Sequence, residues 1–396
     1  MELPSVWRLR TMDDIPLDGR RVIVRVDFNV SPGEDKMVDQ TEDFRIEAAI
    51  TTIQELRQRR CKVLLMAHLG RPGEDDSVLS MDAIARRLRD LLRDEVKMLP
   101  KLFGSQVDAM VQGMEAGDVA LLPNVRLDAR EMTLKEKFAD ELSTLGDIYI
   151  NEAFSNSHRK HTSMVLLPQR LPSAAGRRTV LEVDVLSKLR GNPEHPYVAI
   201  TSGAKITTKI GILKYLLSQV DFLCVGGKIA NVFLAAQGTW PQEMFSADEI
   251  AVAKDMLETY GDKIIVPVDV VVGNDDGSYA QTIGVGYLPP HVGGIWDLGP
   301  ESVKNILETC DTAKTIIWNG PLGKTEVDAY SGATKALIEG LASHGGYRVV
   351  GGGDTVNVLE KMNKVSSFDH VSVGGGAMIE FLEGKHMPGL EILQMK

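Results

Sequence analysis

Short apolar runs rich in valine and isoleucine alternate with amphipathic stretches along nearly the whole chain. Runs that are continuously apolar, instead of alternating with polar residues, belong to strands buried on both faces, and a helix between successive strands makes the βα unit of a parallel sheet. In the first half the expected strands are 20–28 ("RRVIVRVDF"), 61–69, 118–124 and 147–154; in the second they are 196–203, 221–227, 263–273, 315–320 and 347–353. The stretch 43–60 is helical in pattern, with Ile46, Ile50, Ile53 and Leu56 recurring at three- and four-residue spacing. A chain of 396 residues exceeds what one core usually supports. The fold class expected is therefore α/β, two Rossmann-like doubly wound parallel-sheet domains. Residues 171–196, with "PSAAG" at one end, "GNP" near the other and a helical stretch between, read as a helical connector joining them.

Ligands of open parallel sheets sit outside the carboxyl ends of the strands. There the first half places Asp27 and Asn29, His68 and Arg71, Arg126, and His158, Arg159 and His161, with Arg45 near the start of the first long helix. Any one of these could be a surface arginine or a packed histidine. Their recurrence at successive strand ends reads instead as a basic cup, because guanidinium forks match carboxylate and phosphate oxygens while Asp27 and Asn29 suit hydroxyls, a set fitted to a small phosphorylated acid. The second half places glycines at the same edge, in "SGAK" (202–205), "VGGK" (225–228), "NGPLG" (319–323), "GGGD" (351–354) and "GGG" (374–376). Bare backbone N–H groups at helix starts bind phosphate, so this half reads as a nucleotide site. Lys205 and Lys209 lie four apart across a helix start and both reach for the phosphate chain. Asp354 reads either as an N-cap or as a carboxylate ligand for Mg²⁺.

The octamer "WNGPLGKT" (318–325) ends like a P-loop, but Trp318 stands where the first glycine belongs and Pro321 lacks an N–H. A net charge of -11 argues against nucleic acid as a partner, and no apolar run of membrane-spanning length or signal-like start is present, which makes the cytoplasm the expected location. Cys61, Cys224 and Cys310 read as buried small hydrophobes.

Together "RVDFNV", "HLGRP", "NVRL", "NEAFSNSHRKHTS", "GAKITTKI", "WNGPLG", "GGGDT" and "HVSVGGGA" resemble the phosphoglycerate kinases, in that family's order and spacing over essentially the whole chain. The resemblance implies two domains that close about a hinge, reversible phosphoryl transfer between 1,3-bisphosphoglycerate and ADP giving 3-phosphoglycerate and ATP, Mg²⁺, and a monomer that binds neither nucleic acid nor membrane. It implies an N-terminal domain (1–172) that binds 3-phosphoglycerate, a connector (173–194), a nucleotide domain (195–376), and a last segment (377–396) returning toward the hinge. The acid site falls on Asp27, Asn29, Arg45, His68, Arg71, Arg126 and Arg159. The nucleotide site falls on Gly203, Ala204, Lys205, Lys209, Gly227, Asn319, Gly320, Glu326, Gly351, Gly352, Gly353, Asp354 and Thr355, with Asp354 toward the metal. Catalysis falls on Arg45, Lys205, Lys209, Gly352 and Gly375. The chain departs from the family's pattern in Glu152 for aspartate, Pro123 for glutamate, Val373 for serine or threonine, and Lys324-Thr325 for Val-Phe. By this resemblance the "GKT" loop serves the adenosine end. Readings outside the family are a P-loop NTPase using Lys324 and a non-catalytic nucleotide sensor.

Overall fold

The computed structural model describes residues 7–30, 37–38, 43–70, 80–203, 206–207, 209–288 and 294–395. Contacts divide the chain into two compact units, 1–191 with 376–396, and 192–375. The first contains a six-stranded sheet built from β1 (Arg21–Val26), β2 (Lys62–Met66), β3 (Val96–Met98), β4 (Val119–Leu121), β5 (Ile148–Glu152) and β6 (Ser173–Ala175), in the order β3-β4-β2-β1-β5-β6. All its pairings are parallel. Both faces are covered. Val22, Val24 and Val26 share one cluster with Ile46, Ile53 and Leu56 of the helix Asp43–Gln58, while Ile23 lies in another with Leu64, Met66, Phe138 and Leu142. Two buried faces are why the strands read as unbroken apolar runs.

The second unit pairs β7 (Tyr197–Thr201), β8 (Phe222–Val225), β9 (Ile264–Ile265), β13 (Thr315–Asn319), β14 (Tyr347–Gly351) and β15 (His370–Ser372) in a parallel sheet ordered β15-β14-β13-β7-β8-β9. Between β9 and β13 in sequence, β10 (Asp269–Gly273), β11 (Gln281–Gly284) and β12 (Gly294–Leu298) form a separate antiparallel sheet. The stretch 263–273, expected as one strand, is thus two strands in two sheets. Pro267 lies in the break, where its missing N–H cannot serve a ladder.

Within 171–196, Ser173–Ala175 is the edge strand of the first sheet and Arg177–Gly191 is a helix of the first unit. Glu152, at the end of β5, caps that helix: its carboxylate accepts from the N–H groups of Arg178 (3.0 Å) and Thr179 (3.3 Å) and from the Thr52 hydroxyl. Cys61, Cys224 and Cys310 are free and buried. No helix among the described residues is long and apolar enough to cross a membrane.

Candidate functional site

Strand order locates the candidate edges before any side chain is considered. In each six-stranded sheet the order reverses beside a central strand, between β1 and β5 in the first unit and between β7 and β13 in the second, and the crevice at such a reversal is where doubly wound folds bind ligands.

At the first crevice, the chain leaving β1 carries Asp27. Its carboxylate accepts from Arg45 Nη1 at 3.2 Å, the Ser155 hydroxyl at 2.6 Å and the Asn29 N–H at 3.2 Å. Asn29 Oδ1 accepts the Gly70 N–H at 2.8 Å, and the Gly70 carbonyl accepts Arg126 Nη1 at 2.8 Å. Asn124 fixes the same corner by holding Leu69 from both sides and accepting the Arg126 N–H. Asp27, Asn29, Arg45 and Arg126 are therefore joined in one hydrogen-bonded arc. Arg159 is exposed beside it, and Arg71 lies outside the described residues.

Beneath the arc is a buried polar chain of which the sequence reading named only His68. Fully buried Arg25 donates from Nε to Ser163 Oγ (3.1 Å), and Ser163 donates its hydroxyl and its N–H to the buried carboxylate of Glu131 at 2.6 and 2.9 Å. Arg25 Nη2 lies 3.2 Å from His68 Nδ1; a guanidinium only donates, so Nδ1 accepts and the neutral ring carries its proton on Nε2. Burial, followed by the neighbouring Arg25 and Arg126, holds His68 well below the usual imidazole range. Burial and nearby arginines push His158 and His161 down to about 4. The positive charge of the cup at neutral pH thus comes from arginine, and its histidines are neutral. The one available signal for the buried chain was an arginine in the middle of an apolar strand.

At the second crevice, Ser202 N–H donates to the Asn319 carbonyl at 2.9 Å, tying the ends of β7 and β13. Lys209 reaches across the same point, donating from Nζ to the Ser202 carbonyl at 2.6 Å and to Asn319 Oδ1 at 2.9 Å. Desolvation lowers its ammonium to about 8. Gly320 has φ +94°, and a Cβ there would sit 2.8 Å from the Ser202 carbonyl oxygen, so both conformation and space demand glycine. Gly351 ends β14 in register with Asn319. Gly352, at φ +101°, occupies the cap position of the helix Gly353–Lys361, which puts exposed Asp354 in the first turn, past the cap. The capping alternative for Asp354 is thereby removed. Thr355 is fully buried, with no hydrogen-bond partner for Oγ1 among the described residues.

A cleft of about 450 Å³ opens here, and Gly203, Gly227, Lys228, Asp275, Trp296, Lys324, Glu326 and Asp354 are among its walls. Gly375, also at positive φ, ends this unit and is not part of that lining; Ala204 and Lys205 lie outside the described residues.

The octamer 318–325 does not form a P-loop. Trp318 is buried in β13, and after Lys324 the chain continues through turns to a 3-10 segment at Asp328–Tyr330, the next α-helix starting only at Gly332. A P-loop lysine opens a helix directly beneath phosphates. Lys324 instead donates to the Asp275 carboxylate (2.6 Å) and carbonyl (3.0 Å) and lies 5.1 Å from the Trp296 ring centroid.

Comparison with known proteins points to one family. The sequence profile described as "Phosphoglycerate kinase" matches residues 12–385. The phosphoglycerate kinase of Moorella thermoacetica is 38% identical over 393 residues, covering 98% of this chain and 99% of its own. That of Coprothermobacter proteolyticus is 39% identical over 390 residues, covering 97% and 98%. Among solved structures, phosphoglycerate kinase from Coxiella burnetii superposes with a TM-score of 0.81 at 33% identity, covering 98% of this chain and 99% of that one. The Pyrococcus horikoshii OT3 structure gives 0.87 at 25%, covering 97% and 98%.

Proposed function

The chain belongs to the phosphoglycerate kinase family, and from that premise we propose how its residues divide the work of reversible phosphoryl transfer between 1,3-bisphosphoglycerate and ADP. The observation that carries the division is chemical asymmetry between two equivalent crevices: arginines and an aspartate at one, glycine turns and a helix N-terminus at the other.

The first unit holds 3-phosphoglycerate. Arg126, Arg159 and Arg71 take its anionic groups, Asp27 and Asn29 its hydroxyl, and His68 offers a neutral Nε2–H donor. The second unit holds the nucleotide, with Gly203, Ala204, Gly227, Asn319, Gly320 and Gly351 to Thr355 around the phosphates and Glu326 on the ribose. Phosphoryl transfer asks for in-line placement and for cations around the moving group. Arg45, Lys205 and Lys209 supply those charges, and the backbone N–H groups near Gly352 and Gly375 supply the rest of the cradle. Among the described residues no cluster of three or more acidic, histidine or cysteine side chains could cage a metal. That suits Mg²⁺ arriving on the nucleotide, which needs one carboxylate, Asp354, beside phosphate oxygens. When bound, Mg²⁺ neutralises phosphate charge.

Each ligand is held by a different unit, so transfer requires a hinge motion that brings them together and excludes water. The protein works as a cytoplasmic monomer; free, buried Cys61, Cys224 and Cys310 suit a reducing compartment. A coupled assay of ATP consumption tests the function: turnover should require 3-phosphoglycerate. Hydrolysis at an equal rate without it would overturn the assignment.

A further inference from the structure

We propose that Glu131, acting through Ser163 and Arg25, is a positioning residue for the acid site: it fixes the arginine that in turn fixes the His68 ring with its proton on Nε2. This rests on the reading of the first crevice as the site of 3-phosphoglycerate, with His68 as one of its donors. Arg25 belongs to β1 and is fully buried. It donates to the Val26 carbonyl at 2.6 Å, to Ser163 Oγ at 3.1 Å and to His68 Nδ1 at 3.2 Å, and all three partners are neutral. A buried guanidinium needs a counter-charge. Glu131, also fully buried, supplies it from the far side of Ser163.

The hydrogen bonds run in one direction. A serine hydroxyl has a single hydrogen, and here it goes to Glu131 Oε1 at 2.6 Å, so Oγ meets Arg25 Nε with a lone pair. The other carboxylate oxygen accepts the Ser163 N–H at 2.9 Å, while His161 Nδ1 stands 3.8 Å from Oε1, beyond hydrogen-bond reach. Ser163 therefore has the carboxylate to itself. With Nε held by Ser163 and Nη1 by Val26, the planar guanidinium aims Nη2 at His68, and a donor there leaves Nδ1 only the acceptor's role. His68 has no second hydrogen-bond partner among the described residues, so Nε2–H is left for a ligand. Chain position fits the same task. Glu131 lies in the 3-10 segment Ala129–Thr133 shortly after Arg126, and Ser163 in the turn Thr162–Val165 shortly after Arg159, so the pair ties together the two segments that bring those arginines to the cup.

Two variants test this. Glu131→Gln keeps the shape but sets an amide NH₂ against one of the two donors of Ser163; Ser163→Ala removes the relay hydroxyl and leaves the carboxylate, so either one carries the test should the other not fold. Both should lower Tm, as loss of any buried polar contact would. The distinguishing readouts are steady-state kinetics with 3-phosphoglycerate and MgATP, and calorimetric titration of 3-phosphoglycerate alone, each with and without His68→Ala. Either variant should raise the KM and Kd for 3-phosphoglycerate about tenfold, the scale of one hydrogen bond to a charged group, with kcat and the KM for MgATP within about twofold. His68→Ala should raise them at least as much. Adding either variant to His68→Ala should bring less than about a twofold further loss, because the relay then has nothing to act on. An unchanged KM for 3-phosphoglycerate overturns the proposal. So do losses that multiply in the double variants, or an equal rise in the KM for MgATP, since each marks Glu131 as structural alone. Wild-type affinity for 3-phosphoglycerate in His68→Ala itself would instead sink the donor role given to His68, and the proposal with it.

Discussion

Arg45 and Lys209 are basic side chains at the two crevices. Arg45 is half-buried and paired with Asp27 at 3.2 Å. Replacing it with alanine should lower kcat by roughly 10²-fold or more, the size expected for a lost stabiliser of transition-state charge, with a smaller change in nucleotide KM. A change confined to the KM for 3-phosphoglycerate would show that Arg45 only binds substrate. Burial has brought the Lys209 ammonium down from 10.5 to about 8. Between those two values the unfolded chain holds the extra proton, so this group's contribution to stability rises with pH across that window. Its contribution to catalysis runs the other way. A phosphate-facing lysine must be charged, so kcat/KM for MgATP should fall as pH rises through about 8, and Lys209→Arg should move that limb beyond the accessible range. A wild-type profile flat to pH 9 would remove Lys209 from the charged set.

The helix Arg177–Gly191 was expected from the sequence, but what fixes its start comes from two distant segments. Glu152 from β5 and Thr52 from the helix Asp43–Gln58 meet at its N-terminus, and a Cβ on Gly176 would fall 2.1 Å from Glu152 Oε2. Burial pushes the Glu152 carboxyl up to about 7 against the pull of three hydrogen bonds. The folded state therefore holds a proton that the unfolded chain has released; the stabilisation is complete below about 4.5 and gone above about 7. Glu152→Gln should flatten that dependence, so the wild-type Tm, measured relative to the variant at each pH, should fall from pH 5 to pH 7.5. Parallel Tm curves would show that Glu152 does not titrate in this range. Long central strands such as β1, β2 and β13 were legible, since burial on two faces writes itself as a continuous apolar run. The edge strands Val96–Met98, Ser173–Ala175 and His370–Ser372 were not, being three residues long with six of their nine residues polar or small. Asp27, Asn29 and Arg126, which the structure joins in one arc, were legible from their positions after strands. Glu131 and Ser163 were not, because a hydrogen-bonded chain reaching back to Arg25 leaves no local pattern.

At the scale of the molecule, the first unit is discontinuous, closed by residues that follow the entire second unit. Phe381 packs on Trp7 and Phe154 with ring centroids at 5.7 and 6.0 Å, the Gly389 carbonyl accepts from Asn151 Nδ2 at 3.0 Å, and the Gly389 N–H donates to the Ser157 carbonyl at 2.9 Å. Phe381, Leu382, Met387, Leu390 and Leu393 are all buried. At about 1.5–3 kcal/mol for each such side chain, their loss rivals the roughly 5–15 kcal/mol that holds a whole domain folded. A chain ending after residue 375 should lose amide protection throughout β1, β2 and β5 while β7, β13 and β14 keep theirs, as read by hydrogen exchange. Unchanged protection in the first unit would show its core to be self-sufficient. The same arrangement bears on how the protein is made. A ribosome delivers the strands of the first sheet early but withholds the pieces that seal it until residues 192–375 have been polymerised, on the order of 10–40 s at roughly 5–20 residues per second. For that interval the nascent first unit carries an unsealed apolar seam, open to chaperones and to neighbouring chains, whereas the second unit has its full complement of strands as soon as its own residues are made.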